Sequence, residues 1–356
     1  MTRPSFAGTG VVRAAHRFDE ERLADWMAAN VPGFEGPLTV EQFNGGQSNP
    51  TYRLVTPEHR YVLRRKPPGP LLPGAHAVDR EAQVIRAVEE VGFPVPHVHA
   101  LCADDEVIGT WFYVMDMVEG RIFWNAALPG ETHEARAAVY DAMNAAIAQL
   151  HTIDPAAIGL GDYGRHGNYI ERQVARWSRQ YLADDTAGRD PNMDRLLAWL
   201  PDHIPTSDET TLVHGDFRID NLIFAPDTAD LRAVLDWELS TLGDPLADFA
   251  YHLMMYRMPA LTIPGLADSD LAALGIPSEQ DYVAAYCRRT GRAGIPDLDF
   301  YVAFNFFRFA AICHGIKARL LRGNAASTEA GRLAADMPVL AALAWEQAQR
   351  AGPGAA

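Results

Sequence analysis

Asp216, Asn221 and Asp236 constrain this chain more than any other feature. They fall in the run Val213-His214-Gly215-Asp216-Phe217-Arg218-Ile219-Asp220-Asn221 and, one strand later, Asp236-Trp237-Glu238. An aspartate, an asparagine five residues on, and an aspartate closing a short hairpin make a phosphoryl-transfer arrangement. A hydroxyl nucleophile needs a carboxylate within hydrogen-bond reach to orient it and accept its proton, a task that suits Asp216. Nucleotide phosphates require magnesium, a hard cation held by oxygen ligands, and Asn221 and Asp236 suit that second task. His-Gly-Asp alone is a weak motif. The continuation into Gly243-Asp244-Pro245-Leu246-Ala247-Asp248 makes the combination specific.

Around this run the periodicity divides the chain. Asp19 to Asn30 reads as an opening helix, with Leu23, Trp26 and Met27 at helical spacing. Short β-like runs follow at Leu38–Phe43, Thr51–Val55 and Tyr61–Arg65, separated by turn-rich pieces. The four prolines of Lys66–Gly74 exclude regular structure there. A helix over Val78–Val91, ended by Gly92, precedes two further strands, Val98–Cys102 and Trp111–Met117. Beyond Gly120 long amphipathic helices dominate (Ala135–His151, Gln173–Tyr181, Phe300–Arg322), with one β-rich insert from Thr211 to Asp236. The expected fold is α+β in two lobes. Residues 1–117 form a small antiparallel-sheet lobe with one helix and a leading helix; residues 118–356 form a larger, mostly helical lobe, with the hinge near Met117–Gly120.

These runs resemble the aminoglycoside phosphotransferase and choline kinase-like superfamily, relatives of the protein kinases. Within it, the chain is similar to the kinase-like domain fused to acyl-CoA dehydrogenases of the family member 10 and 11 type. The resembling stretches are Gly45-Gly46-Gln47-Ser48-Asn49-Pro50-Thr51-Tyr52, Tyr61 to Gly69, Phe93-Pro94-Val95-Pro96, Phe112-Tyr113-Val114-Met115, Glu119-Gly120-Arg121 and the two Asp-bearing runs. The resemblance implies a two-lobed protein-kinase-like fold that uses ATP and Mg2+. It makes Asp216 the catalytic base, Asn221 and Asp236 the magnesium ligands, and Asp248 a brace acting through the backbone of the catalytic loop.

The first lobe is expected to hold the nucleotide. Gly45, Gly46, Gln47, Ser48 and Asn49, between two strands, would lay backbone N–H groups over phosphates, although the pattern departs from the G-x-G-x-x-G of protein kinases. Val62, Arg64 and Lys66 share one face of their strand. With Val62 over the adenine, Arg64 takes the place of the protein-kinase strand lysine, and Lys66 is the alternative. Glu81 shares a helix face with Val84, Ile85 and Val88, where an unpaired carboxylate is costly, so Arg64 is its expected partner. Met115, Asp116 and Met117 would offer backbone hydrogen bonds to adenine.

Composition narrows the partners. Lys and Arg number 31 against 46 Asp and Glu, a formal charge of −15, which opposes nucleic-acid binding. The three scattered cysteines form no disulfide or zinc pattern, and a cytoplasmic setting follows. Met1-Thr2-Arg3-Pro4 opens without the apolar stretch of a secretory signal. The apolar stretch Tyr301–Ile316 is broken by Asn305, Arg308 and His314, so it reads as a core helix and no membrane span is expected. His97 and His99 read as structural or surface residues rather than metal ligands, His151 as a helix C-terminal cap, and Met254, Met255 and Met258 as core. Trp237 and Glu238 replace the Phe-Gly of protein kinases, and no long activation segment follows, which opposes a protein substrate. The expected activity is transfer of the γ-phosphoryl group of ATP to a small-molecule hydroxyl. The resemblance implies a hydroxyacyl-CoA or hydroxy acid, with an aminoglycoside or choline-like alcohol as the alternative. A nucleotide-binding regulatory pseudokinase is the alternative of another class. The sequence does not determine the oligomeric state.

Overall fold

A computed structural model describes residues 8–44, 49–67, 76–206, 209–323 and 328–352 of the chain. Two compact units emerge. The first comprises Met1–Arg121, Ile223–Pro226 and Arg232–Ser240; the second comprises Ile122–Leu222, Asp227–Leu231 and Thr241–Ala356.

The main sheet of the first unit is built from β1 (Thr9–Gly10), β2 (Thr39–Phe43), β3 (Thr51–Val55), β4 (Arg60–Arg65), β5 (Val98–Cys102) and β6 (Phe112–Asp116). They form one antiparallel sheet in the order β1-β2-β3-β4-β6-β5. Helices α1 (Glu20–Asn30), α2 (Val78–Glu89) and the short α3 (Asp105–Ile108) accompany it. The Asp19 carboxylate caps α1 by accepting from the Arg22 N–H at 3.0 Å. One turn apart, Leu23 and Met27 are buried with Tyr52, Leu54, Tyr61, Leu63 and Phe112 in one apolar cluster. Because strand side chains alternate, Val62 and Arg64 belong to the opposite face from Tyr61 and Leu63. The two-residue β1, too short to give a period, and α3 have no counterpart in the sequence reading.

A single cut after Met117 leaves residues 223–226 and 232–240 in the second lobe, whereas they count with the first unit. Backbone pairing is the reason. The Arg121 N–H donates to the Phe224 carbonyl at 2.8 Å, and the Val234 N–H donates to the Pro94 carbonyl at 2.8 Å. At Gly120 a Cβ would lie 2.2 Å from the Phe224 carbonyl oxygen, so glycine is required for the approach.

The described residues of the second unit are mainly helical: α4 (His133–Thr152), α5 (Tyr169–Leu182), α6 (Pro191–Asp202), α7 (Pro245–Arg257), α8 (Leu271–Leu274), α9 (Glu279–Thr290), α10 (Leu298–Leu321) and α11 (Thr328–Ala351). Strand β7 (Thr211–Val213) leads into the Asp216 loop and, after β8 (Leu222–Phe224) and β9 (Leu231–Val234), pairs antiparallel with β10 (Thr241–Gly243). Helix α7 starts sharply. Pro245 occupies its first turn, and the Asp244 carboxylate accepts from the N–H groups of Leu246 and Ala247 at 2.8 and 3.1 Å. Helix α7 is buried nearly all round, with Met254 and Met258 in the core. Its neighbour α10 is likewise buried through most of its length. Among the described residues, no helix is long and apolar enough to cross a membrane.

Candidate active site

In the second unit, the backbone of the Asp216 loop is tied from three sides. The Asp248 carboxylate, on the first turn of α7, accepts from the N–H groups of His214 at 2.8 Å and Gly215 at 2.9 Å. The Arg308 Nη2 donates to the Gly215 carbonyl at 2.8 Å. The Asp216 N–H points to His214 Nδ1 at 3.2 Å. Gly215, at φ 82°, lies in the left-handed region that glycine enters freely.

The loop presents Asp216 with both carboxylate oxygens engaged. Oδ1 accepts from the Tyr251 hydroxyl at 2.5 Å, and Oδ2 from Asn221 Nδ2 at 3.2 Å. Asn221 Nδ2 also donates to the Asp216 carbonyl at 2.9 Å. The five-residue spacing therefore brings these two side chains together. Arg218 pairs with Asp220, and its Nε lies 3.9 Å from Asp216 Oδ1.

Asp248 is buried, and burial alone would raise its carboxyl. The bond from His151, the imidazoles of His151 and His214, and the His214 N–H outweigh burial and hold it below the usual carboxylate range. His151 Nε2 lies 3.2 Å from Asp248 Oδ2, and its Nδ1 lies 2.8 Å from the Tyr286 hydroxyl. The expectation of a C-terminal cap for His151 is thereby corrected: the ring turns inward to a buried carboxylate, an acceptor stronger than the exposed carbonyls of a helix end.

The first unit holds a second polar cluster. Arg64 Nε lies 2.8 Å from Glu81, while its Nη2 reaches Asp236 at 2.6 Å and Glu238 at 3.2 Å. Burial works against the Arg64 charge, but Asp236 and Glu81 more than offset it and hold the guanidinium ionised. Burial, only partly offset by Arg64, pushes the Glu81 carboxyl up. Glu81 also accepts from Asn49 Nδ2 at 2.8 Å and from the Tyr113 hydroxyl at 3.2 Å. The sheet register explains the assembly: Arg64 stands opposite Tyr113, and Val62 opposite Met115. Asp236 sits at φ 66°, a left-handed conformation uncommon outside glycine and entered more readily by aspartate and asparagine than by most other residues. Lys66 lies outside this cluster, 3.6 Å from Asp79 and 4.1 Å over the Trp111 ring.

The remaining sequence-predicted residues have mixed outcomes. Gly45, Gly46, Gln47 and Ser48 lie outside the described residues. Asn49 is fully buried, its side chain turned to Glu81 rather than outward. The N–H of Asp116 already donates to the His97 carbonyl, and that of Met117 to the Arg60 carbonyl, at 2.9 and 3.2 Å. Those two donors are engaged within the first unit, so any adenine contact of Asp116 and Met117 falls to their carbonyl oxygens. His99 pairs with Asp116 at 2.7 Å and His97 with Glu89 at 2.9 Å. Cys102, Cys287 and Cys313 are free and buried.

Sequence reading missed Tyr251, Arg308 and Glu238. Tyr251 follows Asp248 by three positions on one helix, and Arg308 is an arginine inside a mostly apolar stretch of helix. Those were the available signals.

Among the described residues, no group of three or more His, Cys, Asp and Glu is arranged to hold a metal ion. Asn221 carries an amide oxygen and Asp236 a carboxylate, oxygen donors of the kind magnesium takes.

Residues 39–301 match the family model described as phosphotransferase enzyme family. Acyl-CoA dehydrogenase family member 10 of Mus musculus is 46% identical over 319 residues, covering 89% of this chain and 30% of that protein. Acyl-CoA dehydrogenase family member 11 of Gallus gallus is 44% identical over 353 residues, covering 96% and 45%. The chain thus spans less than half the length of these curated relatives. A crystal structure assigned provisionally as an aminoglycoside phosphotransferase, from Ralstonia eutropha, is 48% identical with a TM-score of 0.86, covering 94% of this chain and 99% of that one. Choline kinase from Cryptosporidium parvum shares the fold at 12% identity and a TM-score of 0.61, over 94% of this chain and 95% of that one. The kinase-like α+β fold, the Asp216 run and the match over residues 39–301 agree: this chain belongs to the phosphotransferase enzyme family.

Proposed function

We propose that the chain transfers the γ-phosphoryl group of ATP to a hydroxyl of a small molecule. The observation that carries this reading is Asp216, a partly exposed carboxylate on a loop whose backbone is locked, with Asn221 bonded beside it. Asp216 accepts the proton of the acceptor hydroxyl as its oxygen bonds to the γ-phosphorus and the bond to the β-phosphate oxygen breaks. Asn221 and Asp236 would hold Mg2+, which when bound offsets phosphate charge. Arg64, oriented by Glu81, supplies a fixed positive charge toward the phosphates, and Val62 and Met115 line the adenine side. Residues 45–49 are proposed to close over the phosphates.

For the acceptor we propose a hydroxyacyl-CoA or hydroxy acid, because relatives of 46% and 44% identity carry acyl-CoA dehydrogenase names. The test is Mg-dependent ATP consumption across hydroxyacyl-CoAs, free hydroxy acids, choline-like alcohols, sugars and aminoglycosides. Turnover confined to hydroxyacyl compounds is expected. Turnover confined to aminoglycosides or choline-like alcohols would reassign the acceptor. MgATP binding without turnover on any acceptor points to a regulatory pseudokinase, and no nucleotide binding sinks the reading altogether.

Arg64→Ala is expected to weaken ATP binding by about 10–100-fold, the scale of a lost hydrogen bond to a charged group, with a much smaller effect on the acceptor KM. Lys66→Ala is expected to leave ATP binding nearly unchanged. Calorimetric titration of both variants decides between the two cations, and the reverse ranking would move the role to Lys66.

A further inference from the structure

We infer that Tyr251 is a positioning residue for Asp216, its hydroxyl fixing the plane of the carboxylate that receives the proton; this rests on the phosphotransferase role given to Asp216 above. Tyr251 and Asp248 are three residues apart on α7 and so share one face of that helix. Asp248 uses this face to hold the loop backbone at His214 and Gly215, and Tyr251 uses it to reach the side chain the loop presents. A single rigid helix therefore sets both the position of the loop and the rotation of the carboxylate.

Arg308, on α10, makes the arrangement stiff. Its guanidinium carbon lies 4.9 Å from the Tyr251 ring centroid and 5.7 Å from the Trp177 ring centroid. The same guanidinium donates to the Gly215 carbonyl, so the tyrosine ring and the loop backbone share one support. Tyr251 and Arg308 are 9% and 8% exposed, which leaves the ring little freedom to swing away. A tyrosine needed only for packing would be satisfied by any backbone carbonyl; this one donates to the single carboxylate the reaction depends on. Burial, with Asp216 adding to it, pushes the Tyr251 phenol well above its ordinary range, so the group stays a donor. With Asn221 on Oδ2 and Tyr251 on Oδ1, the carboxylate has one orientation. Preorganisation of this kind matters because a misplacement of about 1 Å costs on the order of 10²-fold in rate.

Tyr251→Phe keeps the ring and its stacking and deletes only the hydroxyl. The first test needs no acceptor. In the full chain labelled with 13Cζ-tyrosine, the Tyr251 signal is identified by its loss in Tyr251→Phe. It is expected to move in Asp216→Asn, because the phenol exchanges an anionic acceptor for a neutral one. A Tyr251 signal indifferent to Asp216→Asn overturns the inference, whatever the enzyme turns over.

The second test uses MgATP and a γ-hydroxyacyl-CoA. Tyr251→Phe is expected to lower kcat by about 10–100-fold with KM for ATP unchanged and Tm lowered by no more than a few degrees. Wild-type kcat in Tyr251→Phe overturns the positioning role. A responsive Tyr251 signal in a protein that transfers no phosphoryl group to any acceptor upholds the contact and defeats the reaction assigned to the site.

Discussion

Asp216→Asn is expected to lower kcat for phosphoryl transfer by about 10²–10⁴-fold, the usual scale of losing a general base, with ATP affinity within a few-fold of wild type. The substitution is nearly isosteric. An asparagine there keeps one of the two bonds, its single amide oxygen accepting from the Tyr251 hydroxyl, while the bonds of Asn221 to the residue 216 carbonyl and of Asp248 to the His214 and Gly215 N–H groups still hold the loop backbone. What is lost is the ability to take a proton and the anionic charge that draws the acceptor hydroxyl in. Single-turnover kinetics at saturating ATP, beside calorimetric ATP binding, separate the two effects. Turnover within threefold of wild type would remove Asp216 from its role, and loss of ATP binding would show that it acts on the nucleotide instead.

Asp248→Ala is expected to destabilise the second unit by about 3–5 kcal/mol, the range for removing one partner of a buried ionic network. The carboxylate is 5% exposed and serves the N–H groups of His214 and Gly215 as well as His151. Alanine leaves all three buried groups without their acceptor, and each unsatisfied group carries its own desolvation penalty. Denaturant unfolding followed by tryptophan fluorescence should show a lowered midpoint with little change in slope. A loss below about 1 kcal/mol would mean that water or a neighbouring carbonyl replaces the carboxylate, and the bracing role would fall. Because the two units need not unfold together, the fluorescence of Trp177 and Trp199 is the appropriate probe, both residues lying within the second unit.

Much of the architecture was readable because it rests on local periodicity. The helix after Asp19, strands β2 to β6 and helix α2 follow from apolar spacing, and the observed bounds differ from the expected ones by a few residues at most. The Arg64–Glu81 pair was readable for a related reason: a carboxylate on the apolar stripe of a helix demands a cation, and the strand face supplies few. Reading failed where tertiary packing assigns partners. His151 closes a helix in sequence, yet the fold turns it onto Asp248. The N–H groups of Asp116 and Met117 sit at a strand end, and only the fold shows that the His97 and Arg60 carbonyls accept from them. Residues 223–226 and 232–240 are distant in sequence from the unit they join.

The sequence by itself determined the functional groups available to this protein: the carboxylates of Asp216 and Asp236, the amide of Asn221, and the helical and extended segments that carry them. Those properties reside in residue identity and short spacing, which no packing alters. The tertiary structure alone decided how that chemistry is held. Tyr251 on Asp216, Arg308 on the Gly215 carbonyl and Asp248 beneath the loop join segments 35, 93 and 33 residues apart. Each contact exists because a buried hydroxyl, guanidinium or carboxylate must find a partner once water is excluded, and only the folded chain determines which partner is within reach.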